Sequence, residues 1–141
     1  MRFERELLEA YKDVYFFINK RISYKNFAVI TAWNPFSQPV SNKDNRDANR
    51  RLEHEFLKQN YAKLEVGDIK REWIEESFAV ETDLERSVEL GRKYNQNAIY
   101  FIENDEIYLI SCVKGDEQAS EKIGCFSSRL KYTGRLPKEL K

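Results

Sequence analysis

Apolar and polar positions along the chain alternate with two periods, one helical and one of strand type. Phe3, Leu7 and Tyr11 recur at helical spacing with Leu8 beside them, and Val14-Tyr15-Phe16-Phe17-Ile18 is made of strand formers. The pattern predicts a short helix and then a strand; one helix through Ile18 is the alternative, since Val14 and Ile18 continue the stripe. Phe27 to Trp33 is apolar on both faces, as an interior strand is, and Asn34-Pro35 stops it because proline cannot extend a ladder. From about Lys43 to Asn60, Ala48, Leu52 and Phe56 follow each other at four-residue steps, predicting a helix capped by Ser41 or Asn42. Tyr61 to Val66 sets Ala62, Leu64 and Val66 against Tyr61, Lys63 and Glu65, a strand with one wet face. A Gly67-Asp68 turn and a connector through Trp73 lead to a strand from Ser77 to Glu81. Thr82 and Glu85 form a capping-box signature for a helix to about Tyr94, with Leu84, Val88 and Gly91 inward. Ala98 to Ile102 is again apolar on both sides, and Asn104-Asp105 turns it into a strand from Ile107 to Val113.

The order is β-α-β-β-α-β plus one strand. It predicts an α+β fold: a mixed, mostly antiparallel sheet of about five to six strands, with helices mainly on one face. The core is expected to be a ferredoxin-like βαββαβ unit, its first and third strands side by side, plus an extra hairpin strand that internalises Ala98 to Ile102. No repeat, low-complexity tract or Gly/Ser linker marks a boundary. The expectation is therefore a single domain over 1–141, with 1–26 an N-terminal helix and strand extension, 27–113 the core and 114–141 a basic C-terminal extension.

Composition narrows the function classes. With 24 basic and 24 acidic side chains the formal charge is zero, so no global field draws the protein to nucleic acid or to an anionic bilayer. A hydrophobic fraction of 41% argues against disorder, and 34% charged residues imply a well-solvated exterior. No apolar run approaches the roughly 18 residues of a membrane span, and the charged start Met1-Arg2-Phe3-Glu4-Arg5-Glu6 lacks the apolar core of a signal peptide. The expected location is the cytoplasm, with Cys112 and Cys125 as reduced thiols.

One constellation carries candidate chemistry. At about 100° per residue, Asn45 and Asn49 project near the Leu52 and Phe56 direction of their helix, so two amides point inward. An unpartnered buried amide costs roughly 1–3 kcal/mol. These two therefore require backbone groups, each other, water or a ligand. The short connection from Trp33 sets them beside Thr31, Trp33, Asn34 and Ser37, where a strand end and a helix N-terminus meet. Either Asn34-Pro35 is a turn, Trp33 is core and the asparagines satisfy loop carbonyls, or the group forms a pocket for a small polar or anionic ligand with Trp33 as its stacking surface. Gln96 and Asn97 are a helix cap and strand entry, or lend amides to the same pocket.

Glu75 is the candidate catalytic residue, although strand alternation sends it with Ser77 to one face and Glu76 with Phe78 to the other, so no paired-carboxylate mechanism follows. His54, the only histidine, points away from Asn45, which removes Ser-His and Cys-His chemistry from that site. There is no Walker loop, GxGxxG or metal-ligand spacing, so neither a cofactor nor a metal is indicated. Between Lys122 and Lys138, the cations Lys122, Arg129, Lys131, Arg135 and Lys138 are interleaved with Phe126 and Tyr132 and no acid intervenes. That composition suits a weak nucleic-acid patch or a solvated extension, the second being the expectation; a protein partner remains open, and oligomeric state is not legible.

The residues Thr31-Ala32-Trp33-Asn34-Pro35, Ser37, Asn45, Asn49, Leu52, Trp73, Glu75, Ser77-Phe78 and Gln96-Asn97-Ala98-Ile99 resemble the bacterial domain family of unknown function DUF3293, over roughly Tyr11 to Ile110. Asn95 stands where that pattern has glycine. The resemblance implies a small bacterial protein and a functional site at these residues. It names neither a ligand nor a reaction, so a binding or regulatory domain, a small hydrolase or transferase on a nucleotide-like substrate using Glu75, and an interaction module using the sheet face or basic tail all stay open.

Overall fold

The computed structural model describes residues 5–116 and 119–134. In chain order it contains α1 (Arg5–Lys12), β1 (Tyr15–Ile18), β2 (Asn26–Ile30), a 3-10 turn (Pro35–Ser37), α2 (Asn42–His54), β3 (Tyr61–Gly67), β4 (Ile74–Val80) and α3 (Leu84–Lys93). There follow β5 (Ala98–Glu103), β6 (Glu106–Ser111), β7 (Ser120–Cys125), α4 (Phe126–Arg129) and β8 (Leu130–Tyr132). The strands form one mixed sheet in the order β7-β6-β5-β2-β4-β3-β1-β8. Neighbours are antiparallel except the β1–β8 pair, which is parallel.

The α+β class is as read from the sequence, but the sheet has eight strands and not five to six. The additional strands come from the part expected to be a basic extension. Arg129 explains why that segment is ordered: its guanidinium donates to the carbonyls of Lys12 (3.0 Å), Val14 (2.9 Å) and Ile123 (3.1 Å), tying the end of α1 to β7. Lys122 pairs with Glu106 at 2.7 Å. Two of the cations assigned to a basic patch are therefore engaged within the fold, while Arg135 and Lys138 lie outside the described residues.

The sheet curls. In its order β1 and β5 are separated by three strands, about 19 Å apart if flat at the usual interstrand spacing. The rings of Phe16 on β1 and Tyr100 on β5 nevertheless meet edge to face with centroids 5.5 Å apart. Phe126 in α4 fills the concavity between Phe16 and Phe27. This concave face holds Val29, Leu64, Val66, Ala79, Ile102 and Leu109, with Leu8 and Tyr11 of α1 packed on one end. The opposite face carries Ala28, Ile30, Phe78, Val80, Ile99 and Phe101 beneath Leu52 and Phe56 of the α2 region and Leu90 of α3.

Local chemistry sets the helix ends. Ser41 caps α2 by accepting from the Asp44 amide at 3.1 Å. The helix stops at His54 and not Asn60, the chain continuing as turns that still bury Phe56. In α3 the cap is Asp83, accepting from the Arg86 amide at 2.7 Å, in place of Thr82. The shift leaves Leu84 exposed and turns Ser87, Leu90 and Gly91 inward. At the end of α3, Gln96 N–H bonds the Gly91 carbonyl and Asn95 N–H that of Arg92, a Schellman closure with Asn95 left-handed at φ 59°. Asparagine tolerates this conformation, so the loop keeps the shape that glycine would give it.

Candidate functional site

β2 ends at Ile30 and not Trp33, and the reason lies in α2. Pairing of β2 with β4 runs through Ala28–Val80, Val29–Ala79 and Ile30–Phe78, a register that would next oppose Thr31 to Ser77 and Ala32 to Glu76. There the ladder parts and the Asn49 side chain enters it. Its Oδ1 accepts from the Ala32 amide at 2.7 Å, and its Nδ2 donates to the Glu76 carbonyl at 2.8 Å. A carboxamide thus stands in for a peptide link between two strands that have separated. Thr31 Oγ1 donates to the same Glu76 carbonyl at 2.6 Å and accepts from Trp33 N at 3.0 Å.

One turn earlier on α2, Asn45 fixes the next residue of the loop. Its Oδ1 accepts from the Asn34 amide at 2.7 Å and its Nδ2 donates to Asn34 Oδ1 at 2.9 Å. Asn34 sits at φ 47°, and Phe36 and Ser37 are also left-handed, at 53° and 61°. Three such non-glycine residues in four positions are held by their surroundings. Phe36 N donates to the Asn95 carbonyl at 2.7 Å, and Gln96 Nε2 to the Trp33 carbonyl at 3.2 Å. Asn97 Nδ2 donates to Ser37 Oγ at 3.2 Å.

Behind this loop, on the concave face, lies a cavity of about 280 Å³. Thr31, Asn34, Ser37 and Gln96 line it together with Glu75. Trp33, Asn45, Asn49 and Asn97 are not among its lining residues, so four of the eight candidates share this cavity and four do not. Asn45 and Asn49 point inward as anticipated, but backbone groups and Asn34 occupy them; their role is to build the wall. Trp33 is 8% exposed and offers no open stacking face to the cavity. The aromatic walls are instead Tyr11, Trp73 and Tyr100, with Leu7, Ala10 and Ser77 among the remaining lining residues.

Periodicity passed over these aromatic residues because Tyr11 sat in a core stripe, Trp73 in a supposed connector and Tyr100 in a doubly apolar strand; of the three, the family resemblance alone had pointed to Trp73. β4 in fact begins at Ile74. Strand parity supplied the usable signal, since it already put Glu75 and Ser77 on one side. The tyrosine hydroxyls are tied down: Tyr100 OH donates to the Tyr11 carbonyl at 2.7 Å, and Tyr11 OH bonds Ser37 Oγ. Burial raises the pKa of both phenols.

Glu75 is half-buried at this cavity. Burial pushes its pKa up to about 7, against which only the Asn34 side chain favours the charged form. No Lys or Arg is among the described lining residues. Among the described residues there is also no group of three or more His, Cys, Asp or Glu able to hold a metal, and no helix long and apolar enough to cross a membrane. Cys112 is buried and Cys125 exposed, both unpaired.

Residues 30–99 match the family described as Protein of unknown function (DUF3293). Comparison with curated proteins gives no match, and comparison with solved structures gives none. The matched span contains Thr31 to Ser37, both helix asparagines, Glu75 and the Gln96-Asn97 pair, so it covers the loop, the clamp and the acid of the cavity.

Two outcomes follow. Asn49→Ala leaves the Ala32 amide without its acceptor and the Glu76 carbonyl with Thr31 as its remaining donor, and lowers unfolding free energy by about 2–4 kcal/mol in urea titration. For Glu75, a folded pKa raised from 4.5 to about 7 means that its stabilising contribution is complete below pH 4.5 and is lost as pH rises through 7. Glu75→Gln, which cannot ionise, therefore gains stability relative to the wild type between pH 5 and 8, by on the order of 2–3 kcal/mol. Paired denaturation curves at the two pH values measure that gap, and a gap independent of pH contradicts the burial of the acid.

Proposed function

We propose that this DUF3293 chain is a binding domain for a compact polar molecule that enters the concave cavity and hydrogen-bonds to Glu75. The observation that carries the reading is the carboxyl group itself, half-buried with no cation among the described lining residues and with open space in front of it. An acid in that setting is costly to the fold, and a ligand donor is the missing partner. Asn34, Ser37 and Gln96 supply further polar contacts, and Tyr11, Trp73 and Tyr100 supply apolar area. At about 280 Å³ the space lies near the small end of ligand pockets, roughly 300–1,000 Å³. The acidic lining favours a donor-bearing ligand over the anionic or phosphate-bearing one expected from the helix N-terminus.

A second reading rests on the same group. A carboxyl poised near pH 7 suits a general base, which supports a small hydrolase or transferase with Glu75 as the proton acceptor and Asn34 orienting it. Binding is preferred because no other group among the described lining residues is arranged as a nucleophile with its own base. The antiparallel order β5-β2-β4-β3 with α2 and α3 as crossovers supports reading that part of the sheet as the ferredoxin-like unit. A bacterial cytoplasm is the setting we assign to it.

The binding reading is tested with Trp33→Phe protein, in which Trp73 is the only indole. Titration with a metabolite panel changes Trp73 emission for a ligand. Adding Ala10→Phe, at an exposed position on the cavity's lining, abolishes the response. A panel that leaves the emission flat, or a response untouched by Ala10→Phe, contradicts it.

A further inference from the structure

The ligand class can be narrowed further, on the premise that the cavity beside Glu75 is a binding site. We infer that the cavity selects organic cations, ammonium or quaternary ammonium groups held between the Glu75 carboxylate and the rings of Tyr11, Trp73 and Tyr100.

The charges are one-sided. Among the described lining residues Glu75 is the only Asp or Glu, and no Lys, Arg or His stands there to offset it. Among the described lining residues the titratable groups that face it are two phenols, Tyr11 from α1 and Tyr100 from β5; β2, β3 and β6 present Val29, Ile30, Val66 and Leu109, and the loop after β2 presents Thr31. A deprotonated Glu75 therefore makes the cavity negative in a low-dielectric surround, where an unmatched charge interacts strongly with a counter-ion.

The walls suit the same guest. Both tyrosine hydroxyls are committed to protein partners, Tyr100 to the Tyr11 carbonyl and Tyr11 to Ser37. Their rings are consequently fixed, with the hydroxyls drawn toward the protein. Aromatic faces attract cations through the ring quadrupole, most strongly when water is excluded. Other polar lining groups are already engaged as donors: Thr31 to Glu76, Ser77 to the Glu75 carbonyl, and Gln96 to the Trp33 and Tyr94 carbonyls. A guest rich in donors meets the Glu75 carboxylate here, whereas an anion meets no charged donor among the described lining residues.

Binding is coupled to protons. Since burial holds part of Glu75 protonated near neutrality, a cation that pairs with the carboxylate draws its pKa down and releases a proton. Affinity for a permanently charged cation accordingly rises with pH between 5.5 and 8 and levels off once the free acid is ionised.

The test titrates the full chain with butylamine, benzylamine and tetramethylammonium, and in parallel with butanol, benzyl alcohol, butyrate and benzoate. The readout is the NMR shifts of the Trp73 indole and the amides around Glu75. The expected result is saturable binding of the amines at least tenfold tighter than of the alcohols, no saturation by the carboxylates, and proton release at pH 7. Glu75→Gln weakens amine binding at least tenfold, a larger loss than it causes for the alcohols, and flattens the pH profile for tetramethylammonium. Equal amine binding in wild type and Glu75→Gln overturns the inference. Alcohols that saturate these resonances as tightly as the amines, or more tightly, also overturn it while leaving the cavity a binding site. Silence of every probe removes both readings.

Discussion

The carboxamide of Asn49 holds two strands together at the point where they stop pairing. β2 and β4 leave each other after Ile30 and Phe78, and a side chain from α2 replaces the lost rung by bonding Ala32 on one side and Glu76 on the other. The site depends on this splice. It lets the chain leave the sheet early, and Asn45 then holds Asn34 in a left-handed conformation over the opening. The concave space beneath is bounded by Glu75 on β4, the strand that Asn49 grips at the adjacent residue. Most of the hydrogen-bonding capacity in the segment serves to keep a wall upright, and one carboxyl group is left facing the space.

That division of labour explains why polar residues in one short stretch have different roles. Asparagine suits the wall because its amide carries both a donor and an acceptor and mimics a peptide group. Threonine or serine at position 49 would reach one strand but not both. The acid is different in kind: a buried carboxyl group without a cationic partner costs stability, and folds keep such a group where function uses it.

Much of the architecture was legible in the chain. Inward projection of Asn45 and Asn49 followed from helical periodicity, and parity alone put Glu75 with Ser77 and apart from Glu76 and Phe78. What the amides bond to was not legible, because periodicity gives direction and not partner. The strand predicted to reach Trp33 stops at Ile30 because a tertiary contact from α2 outcompetes local β propensity. β7 and β8 were missed since Ser120 to Cys125 and Leu130 to Tyr132 lack clean alternation; Arg129 and Phe126 recruit them through long-range contacts. Tyr11 and Tyr100 read as core and Trp73 as connector, and they become cavity walls only once the sheet curls and brings β1 and α1 over β5.

Glu75 is an acid withdrawn from water without a countercharge among the described lining residues, and its own titration reports that directly. Carboxyl carbon shifts of selectively labelled glutamate, assigned with Glu75→Gln, follow the group through pH in the ligand-free protein. A midpoint near 7 for Glu75 is the predicted result. A midpoint in the ordinary carboxylate range, about 4.3, would mean that water or an unrecognised cation already satisfies the group, and the cavity would lose its claim to a ligand.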